Sequence, residues 1–339
     1  MPFVMGYLHY LIILILLFVA MLVYFRIAFQ YNIFDKPNER SSHQKFALRG
    51  AGIIFPFSII LYTLFFRLST FDLSFAVLLA GLLAISLLGF WDDIRNLPMT
   101  SRMLIQLLPA SALLYATGAF SVLPFWAVII AYILIIGTIN AFNFMDGING
   151  ILGLYSLVVL AGLQYMNLMP IPGADPNMLH FTDPNMIWLP MLACLVFLFF
   201  NFRKKAKCFA GDVGSVSIAF WIVLLILKAM LQTEHLVFLL FLSVYGVDSV
   251  LTIIHRLILK QNIFEAHRLH FYQILVNEQK MPHLWVAFIY AALQAIIILP
   301  VLFIPFFSLS RGIIFIIIPL SLVYIILKPR LMRRSPDHP

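Results

Sequence analysis

Eleven apolar stretches dominate the 339-residue sequence, near 6–29, 50–67, 74–91, 102–118, 122–142, 149–168, 186–202, 213–231, 235–256, 284–304 and 312–328. A bilayer core takes roughly 20 apolar residues of helix, and only helices or closed barrels satisfy every backbone N–H and C=O inside it. Soluble domains carry roughly 25% charged residues, whereas this chain is 11% charged and 63% hydrophobic. The expectation is an all-α, polytopic transmembrane helical bundle of about 11 spans. It forms one integral membrane domain over 1–339, because no polar stretch is long enough for a separate soluble core. The shortest stretches are 50–67 and 102–118, and Pro300, Pro305 and Pro319 fall in or beside the last two spans. The opening residues MPFVMGYLHY contain no Lys or Arg, and no small-residue cleavage site follows. The first stretch therefore reads as a retained anchor rather than a signal peptide. Two cysteines, Cys194 and Cys208, offer no disulfide framework and no thiol-rich metal site.

Lys and Arg then set the orientation, because short cytoplasmic loops carry the excess of cations. With the N-terminus outside and the C-terminus cytoplasmic, 19 of the 22 cations fall on the inner side, including a basic tail over 329–339. Only Arg67, Lys228 and Arg311 fall outside. The net charge of +8 is thus mostly a topology signal, and no nucleic-acid partner is needed to explain it.

The acids say more, since Asp and Glu contribute little to topology. An Asp at the centre of a membrane helix costs about 2.5–3.5 kcal/mol on insertion scales, so an acid at membrane depth suggests function. Asp92 and Asp93 end the third stretch in GFWDDIRN, Asp146 follows the fifth, Asp212 opens the eighth in FAGDVGS, and Asp248 lies in the inner half of the ninth. In NAFNFMDGINGI, residues 140–151, Asn140, Asn143, Asp146 and Asn149 recur every third residue. The longest cytoplasmic loop carries His267, Arg268 and His270 in HRLH. Each piece alone has a plainer reading. An Asp pair at a helix end is more often a solvated cap, loop histidines are commonly inert, and membrane amides often glue helices together. All of them map to one leaflet, however, among a dozen cations. Such a gathering suits a divalent metal and a phosphorylated ligand, since Mg²⁺ prefers a few carboxylates plus substrate phosphates to an all-protein cage. Arg and Lys would neutralise the remaining phosphate charge.

Taken together, GFWDDIRNL, NAFNFMDGING, CFAGDVGS and HRLHFYQ resemble the polyprenyl-phosphate N-acetylhexosamine-1-phosphate transferases, over roughly residues 35–285. The resemblance implies a bacterial cytoplasmic (inner) membrane enzyme working on the cytoplasmic face. It would pass a sugar 1-phosphate from a UDP-N-acetylhexosamine to undecaprenyl phosphate within the membrane lipid, releasing UMP and starting a cell-surface glycan. The implied cofactor is Mg²⁺, with Mn²⁺ as a substitute, and a homodimer is compatible with the resemblance. By motif, Asp92 and Asp93 match the paired catalytic aspartates and Asp212 the metal-binding one. Asn143, Asp146 and Asn140 match the nucleotide-sugar stretch, with Asn149 at a position often held by Asp. His267, Arg268 and His270 match the histidine loop, and Lys45 and Arg49 are phosphate-binding candidates. The loop lacks the run of consecutive histidines of the peptidoglycan-precursor branch. It lies nearer the enzymes that prime O-antigen, capsule or teichoic-acid polymers. A transporter or flippase of anionic lipid or sugar phosphate is the competing class. It would be expected to place its ionisable groups near the midplane, in repeats with broken helices, and no such repeat is evident.

Overall fold

The protein is described here by a computed structural model covering residues 2–35, 47–95, 97–169, 180–263, 265 and 268–332. Helix α1 (Pro2–Gln30) leads to two-residue strands β1 (Phe34–Asp35) and β2 (Ala47–Leu48), paired antiparallel. Then follow α2 (Ile54–Tyr62), α3 (Leu73–Arg95), α4 (Met99–Ala116), the short α5 (Ala119–Val122), α6 (Phe125–Met145) and α7 (Ile151–Leu168). The second half holds α8 (Asn185–Asn201), α9 (Gly211–Thr233), α10 (Ser243–Ile258), the short α11 (Phe271–Asn277), α12 (His283–Phe303), α13 (Leu309–Gly312) and α14 (Ile318–Met332).

All eleven apolar stretches are helical. Nine helical segments among the described residues are long and apolar enough to cross a bilayer. The other two are α8, apolar but only 17 residues long, and α4, whose 18 residues include Thr100, Ser101, Arg102, Gln106 and Ser111. The molecule is an all-α, multi-pass membrane protein. Lys45 and His267, two of the expected ligand-binding residues, lie outside the described residues. Helix α14 continues through Pro329 to Met332, so the expected basic tail begins as helix, and 333–339 are outside the described residues.

Four prolines mark helix starts: Pro98, Pro124, Pro184 and Pro282 immediately precede α4, α6, α8 and α12. Proline fixes φ near the helical value and lacks an N–H that the first turn could not satisfy anyway. Helix α9 is the axis of the bundle. From Val213 to Leu227 every side chain is buried, as expected of a helix that is apolar all round. Helices α2, α3, α6 and α7 pack against it.

Lipid supplies no hydrophobic drive between helices, so close packing and interhelical polar contacts hold them together. Ser86 of α3 and Ser217 of α9 share a 2.8 Å hydroxyl hydrogen bond. Gln294 of α12 accepts from Tyr155 of α7 at 2.8 Å and donates to the Leu240 carbonyl at 2.9 Å. Each such bond contributes only about 0.6 kcal/mol in a bilayer, so packing around α9 carries most of the stability. The arrangement brings the ends of α3 and α6 to the starts of α9 and α11.

Candidate active site

The chain ahead of α2 is zipped onto the chain ahead of α9. Leu48 donates to the Lys207 carbonyl at 3.2 Å and accepts from Phe209 N–H at 2.8 Å. Ala51 and Gly52 donate to the carbonyls of Phe209 and Ala210, both at 3.0 Å. A Cβ on Gly52 would overlap the Gly214 backbone, so this approach requires glycine. The Tyr24 hydroxyl donates to the Arg49 carbonyl. Thus anchored, Arg49 donates from Nε to Asp93 Oδ1 at 2.7 Å and lies 3.7 Å from Asp212 Oδ1.

Asp93 also closes the start of α9. Its Oδ1 accepts from Asp212 N–H at 2.9 Å and its Oδ2 from Val213 N–H at 3.2 Å. Those amides belong to the first turn, which has no intrahelical partners and favours negative charge. The preceding Gly211 has φ +70°, and a Cβ there would come within 2.5 Å of Asp93 Oδ2. With three donors and 1% side-chain exposure, Asp93 is fully engaged.

Asp92, one position earlier, faces different partners. Leu97 N–H donates to its Oδ1 at 2.5 Å, folding the α3–α4 turn back on the helix end, and Arg102 of α4 donates to its Oδ2. Arg102 also lies 3.3 Å from Asp212 Oδ2. The carboxylates of Asp92 and Asp212 are within hydrogen-bonding reach of each other. Asp212 is therefore bracketed by two arginines, each shared with one member of the Asp pair. Three carboxylates against two guanidiniums leave the ionised cluster one negative charge in excess. Asp212 is its least committed acid, with its side-chain cation contacts at 3.3 and 3.7 Å. Among the described residues no three His, Cys, Asp or Glu side chains form a metal-holding group.

Asn143, near the end of α6, donates to Ser215 Oγ at 3.2 Å and reaches the Asp212 carboxylate, joining the NAFNFMDGING and GDVGS motifs. Asn140 lies one turn deeper and donates to Gln106 Oε1 of α4 at 2.7 Å, while its own Oδ1 is buried without a partner among the described residues. Asp146 caps the end of α6 in a half-buried position. Asn149 donates from Nδ2 to the Arg203 carbonyl at 2.7 Å and anchors the segment between α8 and α9. Cys208, in that segment, is a buried thiol whose pKa is pushed up by burial and then by the charge of Asp146.

The HRLH segment meets α6 through Tyr272, whose hydroxyl donates to the Phe144 carbonyl at 2.9 Å. Burial, with the charges of Asp248 and Asp146, holds that hydroxyl well above its usual pKa, so it stays a donor. His270 is buried, its ring 3.4 Å from Asp248 Oδ1 and stacked near Tyr272. Arg268 is half-buried, and its Nε has no acceptor among the described residues.

The sequence reading missed the role of two residues of this assembly. Arg102 counted only as a topology cation, although a cation opening the helix right after an Asp-Asp turn was a usable signal. Asp248 stood out as an acid at membrane depth, but nothing in its neighbours along the chain announced that it accepts from Phe271 and Tyr272 N–H, 23 and 24 residues away.

The chain is thus a multi-pass helical membrane protein with buried, arginine-bracketed carboxylates gathered at one end of the bundle. The family model for glycosyl transferase family 4 matches residues 75–230, which run from α3 through α9 and hold Asp92, Asp93, Asn143, Asp146 and Asp212. Over those residues, a little under half of its length, the chain is similar to glycosyl transferase family 4. It is 27% identical over 267 residues to a Bacillus subtilis protein named as a probable undecaprenyl-phosphate N-acetylglucosaminyl 1-phosphate transferase, covering 74% of this chain and 72% of the relative. It is also 27% identical over 248 residues to a Thermotoga neapolitana phospho-N-acetylmuramoyl-pentapeptide-transferase, covering 66% of this chain and 76% of that relative. A Neisseria meningitidis protein of the latter name is 29% identical over 182 residues, 42% of this chain and 49% of the relative.

Proposed function

We propose that this protein transfers a sugar 1-phosphate, of the N-acetylhexosamine type, from a UDP-sugar to undecaprenyl phosphate and releases UMP. The reaction starts a cell-surface glycan at the cytoplasmic face of a bacterial inner membrane. The observation that carries this reading is the cluster of Asp92, Asp93 and Asp212 around Arg49 and Arg102, buried yet at a helix-end boundary where a lipid head group and a soluble nucleotide can meet. The names of the relatives support the substrate classes. The HRLHFYQ loop favours the branch that primes surface polysaccharides.

In the reaction an oxygen of the lipid phosphate attacks the phosphorus that carries the sugar. A new P–O–P linkage forms, the bond from that phosphorus to the UMP oxygen breaks, and its electron pair leaves with UMP. A phosphate monoester has a second pKa of about 6, so near pH 7 the acceptor needs little help from a base. Catalysis of this kind rests on positioning and charge neutralisation.

The donor set fits a Mg²⁺ ion, because two neighbouring carboxylates without a closed cage leave room for substrate phosphates. When bound, by Asp212 with Asp92 beside it, Mg²⁺ or Mn²⁺ would polarise the diphosphate and stabilise the leaving UMP. We assign Asp92 to orienting the acceptor phosphate, since it shares Arg102 with Asp212. Asp93 is assigned to holding the start of α9 and Arg49 in place. Asn143, Asp146, Arg268, His267 and His270 would bind the donor. Asn140 and Asn149 would support that wall from behind, and Lys45 would add charge for phosphate. The unaccepted Nε of Arg268 suits an anionic donor.

The deciding experiment uses membranes carrying the protein, undecaprenyl phosphate, Mg²⁺ and a panel of UDP-sugars that includes the N-acetylmuramoyl-pentapeptide donor, scored for UMP release. Release with a UDP-N-acetylhexosamine, lost in Asp212→Asn, is expected. No release with any donor, wild type and Asp212→Asn being alike, overturns the reading.

A further inference from the structure

Helix α10 carries a buried polar stripe that the reaction scheme leaves without a role. Asp248, Thr252 and Arg256 are spaced four apart, so they share one helix face, and all are at most 3% exposed. Polar groups at such depth are costly unless they are satisfied. Their partners lie largely along one segment, the chain from 261 to 272 that contains HRLH. Arg256 donates to the carbonyls of Asn262 and Ile263 and to Gln261 Oε1, fixing the start of the loop. The Thr252 hydroxyl lies 3.4 Å from the Leu269 carbonyl, in its last third. Asp248 accepts from Phe271 N–H at 2.9 Å and Tyr272 N–H at 3.5 Å, and its Oδ1 is 3.4 Å from the His270 ring, at the loop's end.

The stripe is completed from the C-terminal helix. Lys328 of α14 is 2% exposed, and its Nζ donates to Thr252 Oγ1 at 3.3 Å and to the Tyr324 hydroxyl at 2.5 Å. Thr252 Oγ1 in turn lies 3.2 Å from Asp248 Oδ1. A buried ammonium and a buried carboxylate thus share one hydroxyl, and Asp248 is the acid that acts on Lys328. Removing one partner of such a pair leaves a buried charge exposed to the full desolvation cost. Tyr290 of α12 donates to Asp248 Oδ2 at 2.7 Å, so three helices converge on the residue that ends the loop.

We propose that the Asp248–Thr252–Arg256 stripe of α10, with Lys328 of α14, is a positioning element that holds the Arg268–His270 segment in the shape that receives the donor diphosphate. The proposal rests on the function given above and assigns these four residues to donor binding, not to the acceptor lipid. None of them touches the reacting atoms; they act through the loop.

The test compares wild type with Asp248→Asn, Lys328→Met, the double variant and the near-isosteric Thr252→Val. For Asp248→Asn and Lys328→Met the KM for the UDP-sugar should rise roughly 10- to 100-fold, as misplacement of binding groups does. The KM for undecaprenyl phosphate should stay within about two-fold of wild type. Thr252→Val should show the same split at smaller size. The double variant should lose less than the product of the two singles, because its members share one network. Amide hydrogen exchange over 268–273 should accelerate in Asp248→Asn while that over 211–215 is unchanged. Equal changes in both KM values, or a fall in kcat alone, would make the stripe merely structural and overturn the proposal. Unchanged exchange at 268–273 overturns it whatever the enzyme transfers. Wild-type inactivity with every sugar overturns the functional reading instead, and the exchange result still decides whether the stripe holds the loop.

Discussion

Arg49 and Asp93, 44 residues apart in sequence, are joined by a 2.7 Å hydrogen bond from Nε to Oδ1, and that carboxylate also caps the first turn of α9. One residue therefore ties the loop before α2, the end of α3 and the start of α9. The neighbouring Asp92 is left to share Arg102 with Asp212. This division of labour makes the site's parts separable by substitution.

Asp212→Asn keeps the backbone N–H that Asp93 accepts and removes only the side-chain charge. Release of UMP should fall about 10²–10³-fold, the scale of losing one electrostatic stabiliser, with little change in the melting temperature in detergent. Chelation should silence the wild type and added Mg²⁺ restore it. Full activity of Asp212→Asn at limiting Mg²⁺ would contradict the assignment.

Arg102→Met leaves Asp92 and Asp212 facing each other without their shared cation. Breaking a buried pair from one side costs about 3–5 kcal/mol; with its side chain 15% exposed the penalty here should lie at or below the lower end. Thermal unfolding should show a clear drop, and UMP release should be lost. Arg102→Lys should recover stability better than activity, since one ammonium cannot reproduce the planar fork between two carboxylates. Unchanged melting in Arg102→Met would count against the bridge.

Two glycines isolate the crowding beside Asp93. Gly211 and Gly118 have nearly equal positive φ, +70° and +73°, but a Cβ at 118 meets nothing within 4 Å. Gly118→Ala should cost about 1–2 kcal/mol from backbone conformation alone. Gly211→Ala should cost more and also depress activity by displacing the Asp93 carboxylate. Equal melting shifts and full activity in both would dismiss that displacement.

Asn149→Asp tests why an amide stands where the family resemblance implies an acid. Its Nδ2 donates to the Arg203 carbonyl at 2.7 Å. An aspartate would set a carboxylate oxygen against that carbonyl, and leaving a buried acceptor unsatisfied costs about 1–3 kcal/mol. The variant should melt earlier and turn over more slowly; faster turnover would show that the amide is a substitute for a charged ligand.

The helices were legible because apolar runs of membrane length have few other folds open to them, and each of the eleven is helical. The ends were less so: α4 keeps a polar first turn because Arg102 belongs to the site. The motifs announced Asp92, Asp93, Asn143 and Asp212 as neighbours at one end, yet not which Asp caps a helix and which shares a cation. That distinction depends on the 100° turn between adjacent helical residues and on what each then meets. Asn140, read as part of the donor wall, binds Gln106 of another helix, a pairing no local pattern records. Asp248 and Lys328, 80 positions apart, meet through Thr252 only because α10 and α14 pack together.

The zipper of 47–52 onto 207–210 also dictates an order of assembly. The ribosome delivers residue 49 long before residue 207, so Arg49 must wait through the insertion of six later apolar stretches for the segment that fixes it. Throughout that interval Asp93 has no α9 to cap, and a carboxylate at membrane depth without its donors is held there at a cost. The contacts that hold Arg49 and Asp93 thus close only after more than half of the chain has emerged, and such long-range closures are slow. A chain arrested before residue 207 would carry Arg49, Asp92, Asp93 and Arg102 but neither the segment that anchors the first nor the helix start that the third closes.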